Sequence, residues 1–261
     1  VTSVEAYKKL QLARKSNRPT GLDYINHILT DFFEMHGDRR FADDSAIVAG
    51  IGRLCGQPIT VIAQEKGHTM KERTYRNFGS AHPEGYRKAL RQMKLAEKFG
   101  RPVLCIVDTA GAYCGTGAEE RGQGEAIAEN LSEMMTLQVP ILSLFIGEGG
   151  SGGALGLAVA NEVWMMENAV YSVISPEGCA SILWKDPHKV REASDSLHIC
   201  PEDLKLLGVV ERILPENDWE QLWQDLPLLL HQKLVELSNL SGSELSESRY
   251  RRFRKMGVYG E

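Results

Sequence analysis

The chain has 261 residues, 43% of them hydrophobic and 25% charged, with a formal net charge of −5. That length and balance fit one large globular domain or two small ones with an adequate core. They leave no bulk basic signal for nucleic acid or a membrane surface. The five cysteines, Cys55, Cys105, Cys114, Cys179 and Cys200, are odd in number and none has CxxC spacing. This argues against a disulfide framework and a cysteine zinc site, and for a reducing cytoplasm. Val1 to Lys9 has no apolar signal region, and a start on Val is read as trimming. The longest uncharged run around the best strand, 134–147, is too short for a membrane span.

Residues 1–40 read as amphipathic helix, with Asp23 as N-cap before Tyr24, Ile28, Leu29, Phe32 and Phe33. Strands are expected over 46–54 and 59–64, joined by a Cys55–Pro58 hairpin turn. A polar, basic stretch without period runs from Glu65 to Pro83. Pro83 suits a helix start, Tyr86, Leu90, Met93 and Phe99 mark one face, and Gly100 with Pro102 ends it.

Pro102 to Val107 reads as a buried strand ending at Asp108, followed by a first glycine loop, Thr109 to Gly117. Glu119 and Glu120 suit the first turn of the next helix, whose apolar face includes Ile127, Leu131 and Met134. The pattern then repeats: a strand over 139–146, a second glycine run from Gly147 to Gly156, and a helix to about Asn161. Short strands follow at 163–166 and 170–174, then a mostly helical tail broken by a strand at 209–214. Two successive strand–glycine loop–helix units argue for an α/β fold. Ligands in such folds sit at the carboxyl ends of strands, so both loops are expected to face one cleft.

The second loop satisfies several patterns at once. Gly147, Gly149 and Gly152 fit a dinucleotide fingerprint, with Glu167 twenty residues past Gly147. The run comes late in the chain, however, and its turn is longer than that fingerprint requires. Gly149, Ser151 and Gly153 fit a nucleophile elbow with a downstream histidine at His188, His198 or His231. Yet glycine on both sides suits backbone donors better than one rigid side chain. A tight packing turn without chemistry is the bland alternative. The fourth reading is an oxyanion site of main-chain N–H groups at a positive helix end. Acyl-thioester chemistry needs such donors, each worth on the order of 10²–10³ in rate.

Lys66 to Arg73, with Arg76, is a local basic loop that could meet phosphates of a large acyl carrier, though a solvated loop explains it as well. Arg249 to Lys255 imitates a nucleic-acid patch. A basic helix C-terminus with Tyr250 and Phe253 packed inward accounts for it more simply. The seven histidines form no metal motif. Cys114 has no local histidine or cationic cluster to activate it.

Eight stretches carry a specific resemblance: Arg18 to Tyr24, His36 to Arg39, Arg76 to Gly79, His82 to Ala89, Asp108 to Tyr113, Gly117 to Ala128, Gly147 to Leu155 and Ile174 to Lys185. Over roughly residues 10–215 the chain resembles the alpha subunits of the bacterial acetyl-CoA carboxylase carboxyltransferase. Cys114 departs from the family pattern, which usually has Pro after Ala-Tyr.

The resemblance implies a crotonase-like (ClpP/crotonase) α/β fold, a spiral of ββα units. A core over 41–215 would then lie between helical segments at 1–40 and 216–261. It implies carboxyl transfer from carboxybiotin, held on a biotin carboxyl carrier protein, to acetyl-CoA, giving malonyl-CoA for fatty-acid synthesis in the cytoplasm. It also implies a zinc-ribbon-bearing beta subunit in an α2β2 assembly. No metal, membrane or nucleic-acid role is expected for this chain. Carried onto this sequence, Gly152 and Gly153 would form the oxyanion site for biotin. Gly111, Ala112 and Ala154 would shape the substrate pocket.

Overall fold

The computed structural model describes residues 3–257. Helices α1 (Ser3–Ala13) and α2 (Gly21–Ile28) lead into strand β1 (Thr30–Glu34), then β2 (Ile47–Leu54) and β3 (Gln57–Gln64). Helix α3 (Met70–Tyr75) and a 3₁₀ turn (Asn77–Gly79) precede α4 (Pro83–Lys98) and β4 (Val103–Thr109). Next come α5 (Thr116–Glu120), α6 (Gln123–Thr136), β5 (Ile141–Gly150) and α7 (Ser151–Leu155). The remainder is β6 (Glu162–Met166), β7 (Val170–Ser172), α8 (Pro176–Trp184), α9 (Val190–Ser196), α10 (Pro201–Leu206), β8 (Arg212–Leu214), α11 (Trp219–Ser238) and α12 (Gly242–Arg254).

The sheet runs β1-β2-β3-β4-β5-β6-β8, with β7 pairing the far end of β5. Pairs β1–β2 and β2–β3 are antiparallel and the others parallel. The β2–β3 hairpin closes on two residues, Cys55 (φ 48) and Gly56 (φ 85), since Leu54 faces Gln57. Positive φ at both positions matches the right-handed twist of the strands. Pro58 therefore lies inside β3 opposite Arg53, not in the turn.

Strands β4 and β5 are buried along their whole length, because helices cover both sheet faces. Helix α4 starts with Pro83 at its first position, as expected, and buries Tyr86, Ala89, Leu90 and Met93. Phe99 falls just past its end and stays exposed. Helix α11 packs Leu222, Leu226, Leu230 and Leu234, spaced every four residues, into the core.

Several local expectations change. The N-terminal period does not stay helical: α2 stops at Ile28, and Phe32 and Phe33 belong to β1 on β2. Thr20 is the N-cap of α2, and Asp23 sits three residues in, its carboxylate accepting from Thr20 N at 2.7 Å. The stretch after β3 contains α3, opened by a Thr69–Glu72 capping box. Glu119 and Glu120 end the separate helix α5, since Gly122 adopts φ 80 and breaks it from α6. The helix after β5 ends at Leu155, not near Asn161, and β7 stops at Ser172. β8 begins only at Arg212, because Val209 N and Val210 N both turn back to Leu204 O.

In α12, Arg249 is fully buried and donates to Leu137 O, Val139 O and Asn161 Oδ1. Phe253 packs on the core, whereas Tyr250, expected inside, is 53% exposed.

Candidate active site

The two glycine loops meet where β4 and β5 end. β5 continues through Gly150, pairing Gly149 with Thr109 on one side and with Tyr171 of β7 on the other. Most of the glycines in this run answer to packing. A methyl group would lie under 3.0 Å from Asp108 if placed on Gly147, from Phe145 on Gly149, from Ala110 O on Gly150 and from Ala112 N on Gly153. Gly152 is different: the nearest atom to its missing methyl is Ile127 Cγ2 at 3.7 Å. It is the one glycine from Gly147 to Gly153 whose lack of a side chain serves no neighbour.

Ser151 to Leu155 form a single helical turn, α7. The first residues of a helix have N–H groups without intrahelical carbonyls. Those groups here belong to Ser151, Gly152 and Gly153. Ser151 is exposed, Gly152 half-buried, and Gly153 and Ala154 buried. The Ala154 methyl is thus core packing. Gly152 and Ser151 border an apolar groove of about 360 Å³, lined further by Leu155, Tyr171, Leu197 and Leu204.

The first loop holds itself in place. Thr109 Oγ1 accepts from Gly111 N at 3.1 Å and donates to Gly111 O at 2.8 Å, so that Gly111 N–H is already used. Tyr113 N donates to Ala81 O at 3.0 Å, and the Tyr113 ring stacks on His82 at 4.0 Å. Gly111 and Ala112 are half-buried, and both lie against Gly153.

A second cleft, about 180 Å³, opens on the Ala110 side of the junction and is lined by Arg14, Arg18, Lys66, Arg73, Asp108 and Glu148 among others. Ala110 of the first loop and Glu148 of the second run both line this cleft, as expected, while Ser151 and Gly152 border the apolar groove. Ion pairs form much of the second cleft's wall. Lys66 Nζ sits 2.5 Å from Asp108 Oδ1, and Arg14 Nη2 sits 2.6 Å from Glu148 Oε1. Asp108 Oδ1 also accepts from Glu148 N at 2.8 Å. Burial works against the Arg14 charge, but Glu148 and Glu177 outweigh it and raise the guanidinium pKa. Arg18 grips Ile146 O at 2.7 Å and Glu216 Oε1 at 2.6 Å, linking the N-terminal segment to β5.

The basic loop is thus largely engaged internally. Lys66 meets Asp108, Arg73 donates to Gly67 O, and Arg76 donates to Ser45 O. Ser151 has φ 51, as a nucleophile elbow would, but its hydroxyl bonds no histidine among the described residues. Arg14 and Arg18, in the segment between α1 and α2, line the second cleft and were missed because they are remote in sequence from the glycine runs. Only Asp108, at a buried strand's polar end, carried a local signal.

No helix among the described residues is long and apolar enough to cross a membrane, and no group of three or more potential metal ligands occurs among them.

Residues 1–257 match the family model described as acetyl co-enzyme A carboxylase carboxyltransferase-like. The chain is 58% identical to the acetyl-coenzyme A carboxylase carboxyl transferase subunit alpha of Ruminiclostridium cellulolyticum, over 98% of this chain and 99% of that one. It is 53% identical to the same-named subunit of Bacillus cytotoxicus, over 98% of this chain and 81% of the relative. Among solved structures it resembles transcarboxylase 12S (TM-score 0.67, 15% identity, 97% of this chain) and the geranyl-CoA carboxylase beta subunit of P. aeruginosa (TM-score 0.68, 16% identity, 100% of this chain). It spans 46% and 47% of those two chains. The shared architecture is the crotonase-like α/β fold.

Proposed function

This chain belongs to the acetyl co-enzyme A carboxylase carboxyltransferase-like family, and from that premise we propose how its glycine junction serves carboxyl transfer to acetyl-CoA. The chain holds the carboxyl-donor half of the site. Its donor substrate is carboxybiotin carried on a separate biotin carboxyl carrier protein. The acetyl-CoA half comes from a zinc-ribbon-bearing beta subunit in an α2β2 complex of the cytoplasm, and malonyl-CoA is the product.

The observation that carries this reading is Gly152. It combines an N–H at the open end of a helical turn with room for a methyl group at ordinary contact with Ile127, beside an apolar groove. An apolar groove edged by main-chain donors suits a bicyclic ureido ring, which has one strong polar oxygen and an apolar body. When bound, carboxybiotin supplies the carboxyl group and a ureido oxygen that gains negative charge as the group leaves.

This chain's part is to stabilise that charge. The N–H groups of Gly152 and Gly153 donate to the oxygen, and their direction is set before the reaction starts. Ala154 holds the turn against the core, while Gly111 and Ala112 shape the pocket by backing the turn at Gly153. No side chain of this chain is assigned as a base, which agrees with a junction built from glycine. The site is incomplete without the partner.

The test is malonyl-CoA decarboxylation with a biotin derivative as acceptor, run with this chain, with the beta subunit, and with both. Activity is expected only from the pair. Turnover by this chain alone would contradict the split site, and an inactive assembled pair would sink the assignment.

A further inference from the structure

The turn that carries Gly152 and Gly153 is too short to hold its own shape. Nucleating one helical turn fixes several dihedrals for a single hydrogen bond. The chain after it does not continue the ladder in register. Gly156 N bonds Gly152 O, while Leu157 N takes Ala154 O, so these bonds step past the carbonyl of Gly153.

Two side chains from other elements take that carbonyl. Gln64 Nε2 donates to Gly153 O at 2.9 Å, and the Tyr86 hydroxyl donates to it at 3.1 Å. Both residues have no exposed surface. Gln64 also uses its other end, where Oε1 accepts from Asp108 N at 3.1 Å. One amide at the end of β3 therefore ties the start of the first loop to the turn of the second. Burial pushes the Tyr86 phenol pKa up, so the hydroxyl keeps its proton and remains a donor. Two further buried donors continue the pattern downstream, Asn130 to Gly156 O at 3.1 Å and Ser143 to Leu157 O at 2.6 Å.

We propose that Gln64 and Tyr86 are positioning residues: by gripping the Gly153 carbonyl they fix the aim of the Gly152 and Gly153 N–H groups. The proposal rests on the oxyanion reading of those glycines. In a helical turn the carbonyls point along the axis one way and the N–H groups the other. Anchoring the carbonyl end therefore orients the donor end. The anchor is stiff because a buried carbonyl that leaves its donors finds no water to replace them. Misplacement of a reacting group by about 1 Å costs on the order of 10²-fold in rate.

The experiment uses the assembled complex of this chain with its beta subunit. Gln64→Leu, Tyr86→Phe, the double variant and Gly153→Ala are compared for kcat, KM for malonyl-CoA, melting temperature and assembly. Tyr86→Phe keeps the ring that packs on Gly156, so it isolates the hydroxyl. Each single variant is expected to lower kcat about tenfold, with KM and assembly unchanged. Because each donor backs up the other, the double variant is expected to lose more than the product of the singles. Full kcat in the double variant, with Gly153→Ala inactive, would overturn the positioning role alone. Losses that merely track melting or assembly would overturn it as well. Full turnover in Gly153→Ala would remove the oxyanion reading itself, and this proposal with it.

Discussion

Gly153 and Ala112 touch main chain to main chain: a methyl group on Gly153 would fall under 3.0 Å from the Ala112 nitrogen. That contact makes the second glycine loop depend on the first. It also separates two neighbouring glycines by physical role, since a methyl on Gly152 would meet only ordinary contacts with Ile127 and one on Gly153 would clash.

Gly153→Ala is therefore expected to push the loops apart and lower turnover of the assembled complex by at least ~100-fold, the scale of one lost oxyanion donor. Gly152→Ala keeps the loop contact and is expected to lose at least ~10-fold less. Steady-state rates of the two variants check this, and equal losses would contradict it.

Ser151 holds φ 51, a region that costs a residue with a side chain about 1–2 kcal/mol. Ser151→Gly is expected to raise stability by about 1 kcal/mol while the complex retains its turnover. Denaturant unfolding and the decarboxylation assay check both halves. A fluorophosphonate that labels Ser151 stoichiometrically would show that the hydroxyl is a nucleophile after all.

Lys66 and Asp108 form a pair at 2.5 Å, with side chains 18% and 9% exposed. Lys66→Met leaves the Asp108 carboxylate with the Glu148 N–H but without its counter-charge. The expected loss is about 3 kcal/mol of stability, read from urea unfolding. A loss under ~1 kcal/mol would mean that water replaces the lysine.

Arg249 sits inside the protein with carbonyls and one amide oxygen as its acceptors. Arg249→Ala strands those acceptors and opens a cavity, so about 3 kcal/mol of stability should be lost. Arg251→Ala, on an exposed side chain paired with Glu247, should cost under ~0.5 kcal/mol. Equal melting temperatures for the two variants would refute the assignment of Arg249 to the core.

Asp43 supplies a pH dependence. Burial alone would raise its pKa, but hydrogen bonds from Lys88, Gly37 N–H and His36 outweigh burial and bring it to about 2, below its ordinary 3.8. A depressed carboxylate contributes stability that is whole above its unfolded pKa and is lost as pH falls through the folded one. The stability difference between the native chain and Asp43→Asn should be constant above pH ~4 and shrink as pH falls toward ~2. Melting at several pH values tests this, and a gap that widens on acidification would reverse the sign.

Periodic segments were legible in the sequence wherever one physical rule dominated. Pro83 opens α4, the strand expected at 139–146 is found as β5 from Ile141 onward, and both glycine loops fall at strand ends. The reading failed where two rules competed. Phe32 and Phe33 fit a helical face and a strand equally, and pairing with β2 decided for the strand. Tyr250 looked like a core aromatic beside Phe253, but the buried position one step away went to Arg249.

Glycine density suggests a backbone-built anion site at 147–156, and the family resemblance implies Gly152 and Gly153 as the donors we propose. Those conclusions needed only local order, because strand ends, glycine runs and motif spacing are properties of contiguous residues. Tertiary structure decided which glycines are packing and which is open, since Asp108, Phe145, Ala110 and Ala112 reach them from elsewhere. It also decided what holds the one-turn helix in place. Gln64 and Tyr86 lie 89 and 67 positions from the carbonyl they share. A turn that short has too few bonds of its own, and the partners that complete it are chosen by the fold.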